Sequence, residues 1–447
     1  MSIFPAYIYE ILDRLEKNGF EAYAVGGCVR DHLMGITPYD YDITTNALPQ
    51  QIKEIFSDHD IASYGEKHGT VGVIVRKRIV EITTYRTESG YTDHRRPDSV
   101  SFTKCLEEDL KRRDLTVNAM AMDKDGNIID KFGGRRDLEK KILRTVGSPD
   151  ERFFEDALRI LRCLRFSSQL GFAPEMETAF AMSKNKGLLK EISAERIRCE
   201  FVKMLCGENI EEVLRSYYDI IEVFIPEIRP MIGFQQRTPY HKFDVWEHTI
   251  HAVSRGIDSA VLKTALFFHD IAKPSCMTVD KNGRGHFKQH PELSAEMAKT
   301  IMKRLKFSSQ ETDLVTKIIA NHRISYKTEA DVKRMMNKIG AGAFLWLIEL
   351  KTADDSAKGY FDEKSIRSLE WAKSIAERIV IEKQCYRICD LALKGSDLLK
   401  LGYKGKDIGD TLDRLLECVI EDKLENNPER LMNYIISTKD NDDNYAI

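Results

Sequence analysis

Residues 24–47 read AVGGCVRDHLMGITPYDYDITTNA. A Gly-Gly pair, Gly26 and Gly27, closes the run EAYAV (21–25), and two carboxylates, Asp40 and Asp42, stand one residue apart. Like charges that close repel and raise each other's pKa. A bound divalent cation would relieve that repulsion, and so would a phosphate held between the cation and the glycine backbone. The local pattern offers a frame for both: a short strand at 21–25, a glycine turn, helix signals from Val29 and a second strand, YDYDITT. A period of two places Tyr39, Tyr41 and Ile43 on one face of that strand and Asp40, Asp42 and Thr44 on the other. Two carboxylates on one face can share a cation, or a pair, through oxygen ligands. Glycine lets the backbone approach a triphosphate closely. A metal so held can lower the pKa of an attacking hydroxyl, and a second can neutralise a leaving pyrophosphate.

Working outward, LPQQIKEIF is expected as a helix with Pro49 in its first turn. TVGVIVRKRIVEITTYR (70–86) predicts a hairpin turning near Arg76–Arg78. It carries Glu81, which reads equally as a third metal-binding carboxylate or as a solvent-facing strand residue. Residues 87–108 are polar and irregular, long enough for a mobile functional loop. TVNAMAMDKDGNIIDKFGG predicts two more strands around an Asp-Gly turn at 125–126. SPDERFFEDALRILRCLRFSSQLGF predicts one helix, with Ser148 as N-cap, Pro149 at its first position and Gly171 past its end. After about residue 147 the strands are expected to stop and the period becomes helical. The fold class is therefore α+β: a small mixed-sheet head, then a long all-α remainder, with a seam expected at Pro226, Pro230 and Gly233.

The 447 residues, 42% hydrophobic and 31% charged, describe an ordinary globular chain of several domains. No apolar run of about 18 residues predicts a membrane span. The first twenty residues lack a basic n-region and a cleavage site, so the cytoplasm is the expected location. Nine cysteines without a CxxC pair suggest neither a disulfide framework nor a cysteine zinc site. Cys28 reads as a small residue under the glycine turn. The net charge of −3 does not advertise nucleic-acid binding, yet DHRRP (93–97), KRRD (111–114), FGGRRD (132–137) and RILRCLR (159–165) concentrate basic residues early. Each alone reads as a solvated face; four together point to a phosphate-rich ligand. Seven of the eleven histidines lie between His241 and His322, marking a second chemical centre.

GGCVRD…DYDITT resembles the first motif of polymerase-β-type nucleotidyltransferases, in the branch of bacterial CCA-adding tRNA nucleotidyltransferases and poly(A) polymerases. Four further motifs follow in family order. RRDLTVNAMA (112–121) resembles the ribose- and phosphate-binding motif, and DKFGG (130–134) the element coupling head and neck. EDALRILR (155–162) resembles the nucleotide-selecting motif, and SAERIRCE (193–200) the helical motif after it. The resemblance implies catalysis by Asp40 and Asp42 with Mg²⁺. It implies nucleotide binding by Gly26, Gly27, Arg30, Arg112, Arg113, Asp114, Asn118, Asp156, Arg159 and Arg162. Leu115 stands where the family commonly has Phe, an apolar exchange. Chemistry supports the selecting pair, since cytosine and adenine each present an amine donor beside a ring-nitrogen acceptor, which Asp156 and Arg159 complement. On one helix, three residues apart, these two would be neighbours; the plainer reading is a salt bridge on a solvated face. YRTESGYTDHRRPDSVSF resembles the flexible loop of full CCA-adding and A-adding enzymes, with Asp93, Arg96 and Pro97 as its working residues.

The histidine-rich part resembles the HD phosphohydrolase superfamily. His248, His269, Asp270 and Asp354 match its H…HD…D pattern, and His290 and His322 match the additional histidines of two-metal members. Nitrogen and carboxylate ligands suit Mn, Ni, Co, Fe or Mg better than structural zinc. Lys273 would contact phosphate; His241, His251 and His286 are not expected to ligate. CDLALKGSDLLKLGYKGKDIGDTLDRLLE (389–417) resembles the tRNA-binding tail of longer family members, with Lys404 where proline is usual.

The expected domains are a transferase head (1–147), a neck and body for nucleotide selection and RNA binding (148–235), an HD domain (236–375) and a helical tail (376–447). The expected activity is addition of C, C and A from CTP and ATP to tRNA, with hydrolysis of a phosphoester at the HD site, by a monomer or dimer. The alternatives are a poly(A) or A-only enzyme and, from another class, an HD phosphohydrolase with an inactive RNA-binding head.

Overall fold

The computed structural model describes residues 3–62, 65–90, 99–360 and 362–443. Asp93, Arg96 and Pro97 lie outside the described residues. The chain divides into two compact units, Met1–Glu227 and Ile228–Ile447. Among the described residues no helix is long and apolar enough to cross a membrane.

The first unit opens with α1 (Ala6–Lys17), β1 (Ala22–Val25), α2 (Gly27–Leu33), β2 (Asp42–Thr45), α3 (Pro49–Ile55) and β3 (Asp60–Ala62). It continues with β4 (Thr70–Val75), β5 (Arg78–Thr84), β6 (Arg86–Ser89), β7 (Ser99–Phe102), α4 (Leu106–Lys111), β8 (Met120–Met122), β9 (Ile128–Asp130) and α5 (Gly134–Glu139). Seven strands form one mixed sheet in the order β3-β4-β5-β2-β1-β8-β9. Only β2 and β5 run parallel there, and their register sets Asp42 beside Glu81. The β4–β5 hairpin turns at Arg76 and Lys77, both left-handed (φ 50° and 65°), as a two-residue turn matched to strand twist requires. One face of α1, with Ile8, Ile11, Leu12 and Leu15 fully buried, packs with Ala24, Ile43, Val73 and Ile82 of the sheet.

Four local expectations are corrected. The strand expected over YDYDITT begins at Asp42, so Asp40 precedes it rather than sharing it. The stretch 87–108 is not wholly irregular: β6 and β7 pair antiparallel across it, and α4 starts at Leu106. Short strands persist past 147, since β10 (Ile142–Leu143) pairs β11 (Ala173–Pro174), and a hairpin occurs in the second unit. The single helix expected over 148–171 is two, α6 (Pro149–Glu155) and α7 (Leu158–Leu170), with Asp156 extended between them (φ −142°, ψ 101°).

The rest of this unit is α8 (Met176–Asn185), α9 (Ala194–Leu205), α10 (Ile210–Ser216) and α11 (Tyr218–Ile221). The second unit carries α12 (Val245–Arg255), α13 (Ala260–Phe268), α14 (Lys273–Cys276), the hairpin β12 (Met277–Val279) and β13 (Gly285–Phe287), then α15 (His290–Arg304) and α16 (Ser309–Ala320). It ends with α17 (Glu329–Ile339), α18 (Ala341–Ala357), α19 (Glu363–Ile381), α20 (Gly395–Lys400), α21 (Lys406–Ile420) and α22 (Pro428–Asp443). Leu398, Leu412, Leu415, Leu416, Ile420 and Leu431 give the last of these helices their own apolar cluster.

Candidate functional site

The glycine turn is sterically determined. Gly26 has φ 79° and ψ −132°, and a Cβ there would lie 3.1 Å from Arg113 NH1 and 3.9 Å from Asp42 Oδ2. Only glycine adopts that backbone without strain. The turn thus brings Asp42, Arg113 and the start of α2 to one cleft of about 600 Å³. Asp40, Asp42 and all ten residues expected to bind nucleotide line it. Glu81 does not line this cleft, although it sits beside Asp42 in register.

Asp42 is pushed up to about 6: burial contributes most, Arg113 opposes it, and the charges of Asp40 and Glu81 add to it. Carboxylates crowded to that extent fit a divalent cation, whose charge would relieve the repulsion. Cys28 is pushed up to about 12 by burial and Asp42, which keeps it a protonated, inert thiol.

The basic wall is built from Asp114 and Asp109. Asp114 Oδ2 accepts from Arg162 Nε at 2.7 Å, and its Oδ1 accepts from the Leu115 N–H (2.8 Å) and Asn118 Nδ2 (3.3 Å). Burial pushes Asp114 up, but Arg162 outweighs it and holds the carboxyl well below the usual range. Asn118 in turn accepts from Arg30 NH1 at 2.7 Å. Asp109, fully buried, was not singled out in the sequence. Its Oδ1 accepts from Arg112 Nε (2.9 Å) and the Arg86 N–H (3.3 Å); Oδ2 accepts from Thr44 Oγ1 (3.2 Å) and lies 3.7 Å from Arg113 NH2. The Phe166 ring is flanked by the guanidinium groups of Arg165, Arg30 and Arg162 at 4.1, 5.1 and 5.7 Å.

The expected Asp156–Arg159 face on one helix is not formed, because the helix breaks at Asp156. Oδ1 of Asp156 takes the Leu158 N–H (3.1 Å) and starts α7. Arg196 on α9 holds both carboxylate oxygens, at 3.2 and 2.7 Å. Arg159 instead bonds Glu155 Oε2 (2.6 Å) and the Arg112 carbonyl (3.1 Å). Both Asp156 and Arg159 still face the cleft. Oδ1 thus accepts twice, while Oδ2 accepts once and keeps a second lone pair for a base amine. Arg196, Arg165 and Phe166 are cleft residues that sequence reading left unassigned, although the first two fall within quoted motifs and clusters.

The second unit gathers the six expected metal-ligating residues. His248, His269 and Asp354 form one triad and Asp270, His290 and His322 another, ligand atoms within 4.8 Å in each. His290 Nε2 and His322 Nε2 face each other at 3.1 Å, while their Nδ1 atoms lie 2.8 and 2.7 Å from the Phe287 and Ile319 carbonyls. A carbonyl can only accept, so each Nδ1 donates. His322 is pushed down to about 3 by burial and by His269, so it is neutral, with a bare Nε2 lone pair. Asp270 reaches both groups, with Oδ2 3.3 Å from His269 Nε2 and Oδ1 3.3 Å from His290 Nε2. Burial pushes Asp270 up, but His269 and Lys273 hold it well below the carboxylate range. These donors fit cations. A cavity of about 360 Å³ over them is rimmed by Lys273, Arg284, Lys288, Arg323, Lys351 and Lys358. His286 pairs with Asp280 (2.9 Å), and His251 stacks on Phe243 (4.4 Å). His241 lines the cavity beside His248 without joining either triad.

Comparison with known proteins gives the cleft its context. Residues 22–144 match the family "Poly A polymerase head domain", 171–232 match "Probable RNA and SrmB- binding site of polymerase A", and 287–435 match "tRNA nucleotidyltransferase domain 2 putative". The CCA-adding enzyme of Lactobacillus helveticus is 34% identical over 436 residues, covering 95% of both chains. The chain belongs to the CCA-adding enzyme family. That of Limosilactobacillus fermentum is 33% identical over 94% of both chains. The alignment to the Ligilactobacillus salivarius CCA-adding enzyme, 53% identical over 209 residues, covers 47% of this chain and 51% of that one, about half the length of each. Among solved structures, the Bacillus stearothermophilus CCA-adding enzyme in complex with CTP superposes with a TM-score of 0.73 at 28% identity, covering 97% of this chain and 98% of that one. The α+β architecture is the one this family of nucleotidyltransferases uses.

Proposed function

We propose that the protein adds C, C and A from CTP and ATP to the 3′ end of tRNA by two-metal nucleotidyl transfer in the first-unit cleft, in the cytoplasm. The convergence of Gly26, Asp42 and Arg113 carries this reading, since it puts a tight glycine turn, a crowded carboxylate and a guanidinium within one triphosphate's reach. Mg²⁺ held by Asp40 and Asp42 supplies the positive charge that activates the hydroxyl and stabilises pyrophosphate. Arg112 and Arg113, braced by Asp109, bind the phosphates, and Asn118 with Arg30 holds the ribose end. Asp156 and Arg159 read the base. Residues 93–97 switch that pocket from C to A.

The test is incubation of the full chain with tRNA lacking CCA and each nucleotide. A stop after three nucleotides is expected. Long A-tails, or a single A on a CC end only, would favour the A-adding alternatives.

The two histidine triads favour a second activity in the same chain: an HD-type site, loaded with Mn, Ni, Co, Fe or Mg, that hydrolyses a phosphoester, such as a damaged or cyclic phosphate on the RNA end. The cationic rim supports an anionic substrate, with Lys273 at the phosphate. Asp270→Ala is expected to abolish hydrolysis and metal retention while leaving nucleotide addition intact. Equal hydrolysis by that variant would refute this reading.

A further inference from the structure

The geometry points to Tyr240 as a specificity-determining residue of the second-unit site, its ring the stacking surface for the nucleobase of the phosphoester held there. This role rests on the hydrolase reading of the histidine triads and names what that site selects: an ester that carries a base. Thr238, Tyr240 and His241 line the cavity of about 360 Å³ over the triads. That volume falls within the ~300–1,000 Å³ of small-molecule sites and suits a single nucleotide. The cations of the rim account for a phosphate. They do not account for an exposed aromatic ring among them.

The segment that carries Tyr240 is tied to the triads at both ends. Gln236 is buried; its Oε1 accepts from Lys273 Nζ at 2.8 Å and its Nε2 donates to the Phe243 carbonyl at 3.1 Å. One side chain thus closes residues 236–243 into a loop. The Lys242 N–H donates to the Lys358 carbonyl at 3.1 Å. Lys273 Nζ lies 2.6 Å from Asp270 Oδ2, and Lys358 Nζ lies 3.7 Å from Asp354 Oδ2. Each end of the loop therefore meets a lysine paired with a carboxylate of one triad. The β12–β13 hairpin holds the loop from the side, where the Gly285 N–H donates to the Arg237 carbonyl at 2.9 Å. A Cβ on Gly285 would collide with the Gln236 carbonyl oxygen, so only glycine permits this approach. It brings Arg284 to the loop, with its guanidinium 5.0 Å from the centre of the Tyr240 ring.

The ring does little for the fold. Tyr240 is 61% exposed, whereas Tyr326 of the same unit is buried against Phe344 at 5.2 Å. Its neighbour His241, about 3.8 Å along the chain from Cα to Cα, sets its own ring 5.2 Å from that of His248. Thr238 Oγ1 and His241 Nδ1 lie 3.1 Å apart, which fixes the backbone on either side of Tyr240. The exposed ring therefore stands one residue from the floor of the triads. An aromatic face stacks any base, and a guanidinium beside it adds a cation–π contribution. With the phosphate at the triads and Lys273, the attached nucleoside lays its base on Tyr240, braced by Arg284.

The experiment uses the full chain loaded with Mn²⁺ and two secondary phosphomonoesters, adenosine 3′-monophosphate and glycerol 2-phosphate, the second lacking a base. Tyr240→Ala is expected to raise KM for the nucleotide about tenfold, the loss of one stacked base. Its kcat, and both constants for glycerol 2-phosphate, are expected to hold, which a merely structural role would not allow. Tyr240→Trp is expected to keep the wild-type preference. Binding is read separately, without metal, from 2-aminopurine riboside 3′-monophosphate, whose fluorescence falls when its base stacks. The quench is expected in wild type and in Arg113→Ala, which disables the first-unit cleft, and is expected to vanish in Tyr240→Ala. An unchanged nucleotide KM in Tyr240→Ala, an equal rise for glycerol 2-phosphate, or a quench absent from wild type or surviving Tyr240→Ala would overturn the stacking role. Wild-type protein that hydrolyses neither ester with any of the five metals, while the Tyr240-dependent quench persists, would overturn the hydrolase reading instead.

Discussion

Replacing Arg196 by Met separates two roles that one ion pair combines. The guanidinium holds Asp156 through NH2–Oδ2 at 2.7 Å and NH1–Oδ1 at 3.2 Å, with the side chains 27% and 15% exposed. Buried charge-assisted bonds contribute about 1.5–3 kcal/mol, and partial exposure lowers the pair to about 1–2 kcal/mol. For a unit of some 150–250 residues that corresponds to about 2–8 °C in Tm. Met keeps the stem length and much of the packing, so the loss comes mainly from the pair. Asp156 then keeps the Leu158 N–H alone and can rotate away from the cleft. A well-placed donor–acceptor contact to a base gives about 1–3 kcal/mol of discrimination. Losing it lowers the CTP-to-UTP ratio of kcat/KM by about five- to 150-fold. The assay is a thermal melt together with incorporation kinetics for the two nucleotides on tRNA lacking CCA. A variant that melts lower by the expected amount but keeps the wild-type ratio would refute the claim that Arg196 aims Asp156 at the base.

Gly26→Ala forces a Cβ to 3.1 Å from Arg113 NH1 on a backbone only glycine adopts freely. A strain of about 1–3 kcal/mol and a greater than tenfold fall in kcat/KM for both nucleotides are expected, by melt and kinetics. Asp109→Asn removes the charge that anchors Arg112 and Arg113 and should cost about 1–3 kcal/mol. KM for CTP and ATP should rise together while KM for tRNA holds. Asp114 is held below its unfolded value by Arg162. Its contribution is therefore complete above the unfolded pKa of about 3.9 and lost as pH falls through the lower folded pKa. Asp114→Asn should flatten the acid limb of a stability–pH curve measured by denaturant melts.

The sequence was informative where one residue type had a single physical use. Gly26 and Gly27 permitted a close backbone approach, and Asp40 and Asp42 needed a counter-charge, so the cleft was legible in the sequence. The 70–86 hairpin and the strands around Gly126 followed from β-branched runs and turn residues. The break at Asp156 did not, because EDALRILR has neither proline nor glycine and a continuous helical period. The carboxylate's competition for the Leu158 N–H, with Arg196 forty residues away, decides it. Strands β6 and β7 escaped because RTES and SVSF are polar and partly exposed. The β12–β13 hairpin did carry a signal in Asn282-Gly283, at the turn where Gly283 has φ 77°. Asp109 gave none: a carboxylate two residues before KRRD looks like a solvated neighbour until the fold buries it. The first triad joins His248 to Asp354 and the second Asp270 to His322, a convergence that spacing alone does not reveal.

Asp109 has a mechanical consequence. One carboxylate joins the Arg86 amide, where β6 begins, to Thr44, two residues from Asp42 on β2. Residues 91–98 lie between the paired strands β6 and β7. A displacement of β6 by an ångström must either break the Arg86 bond or pull on β2, which carries Asp42. The Arg86 amide hydrogen is therefore a built-in strain gauge. Its exchange with solvent should change as CTP gives way to ATP, reporting from the cleft's own lining on the nucleotide bound there.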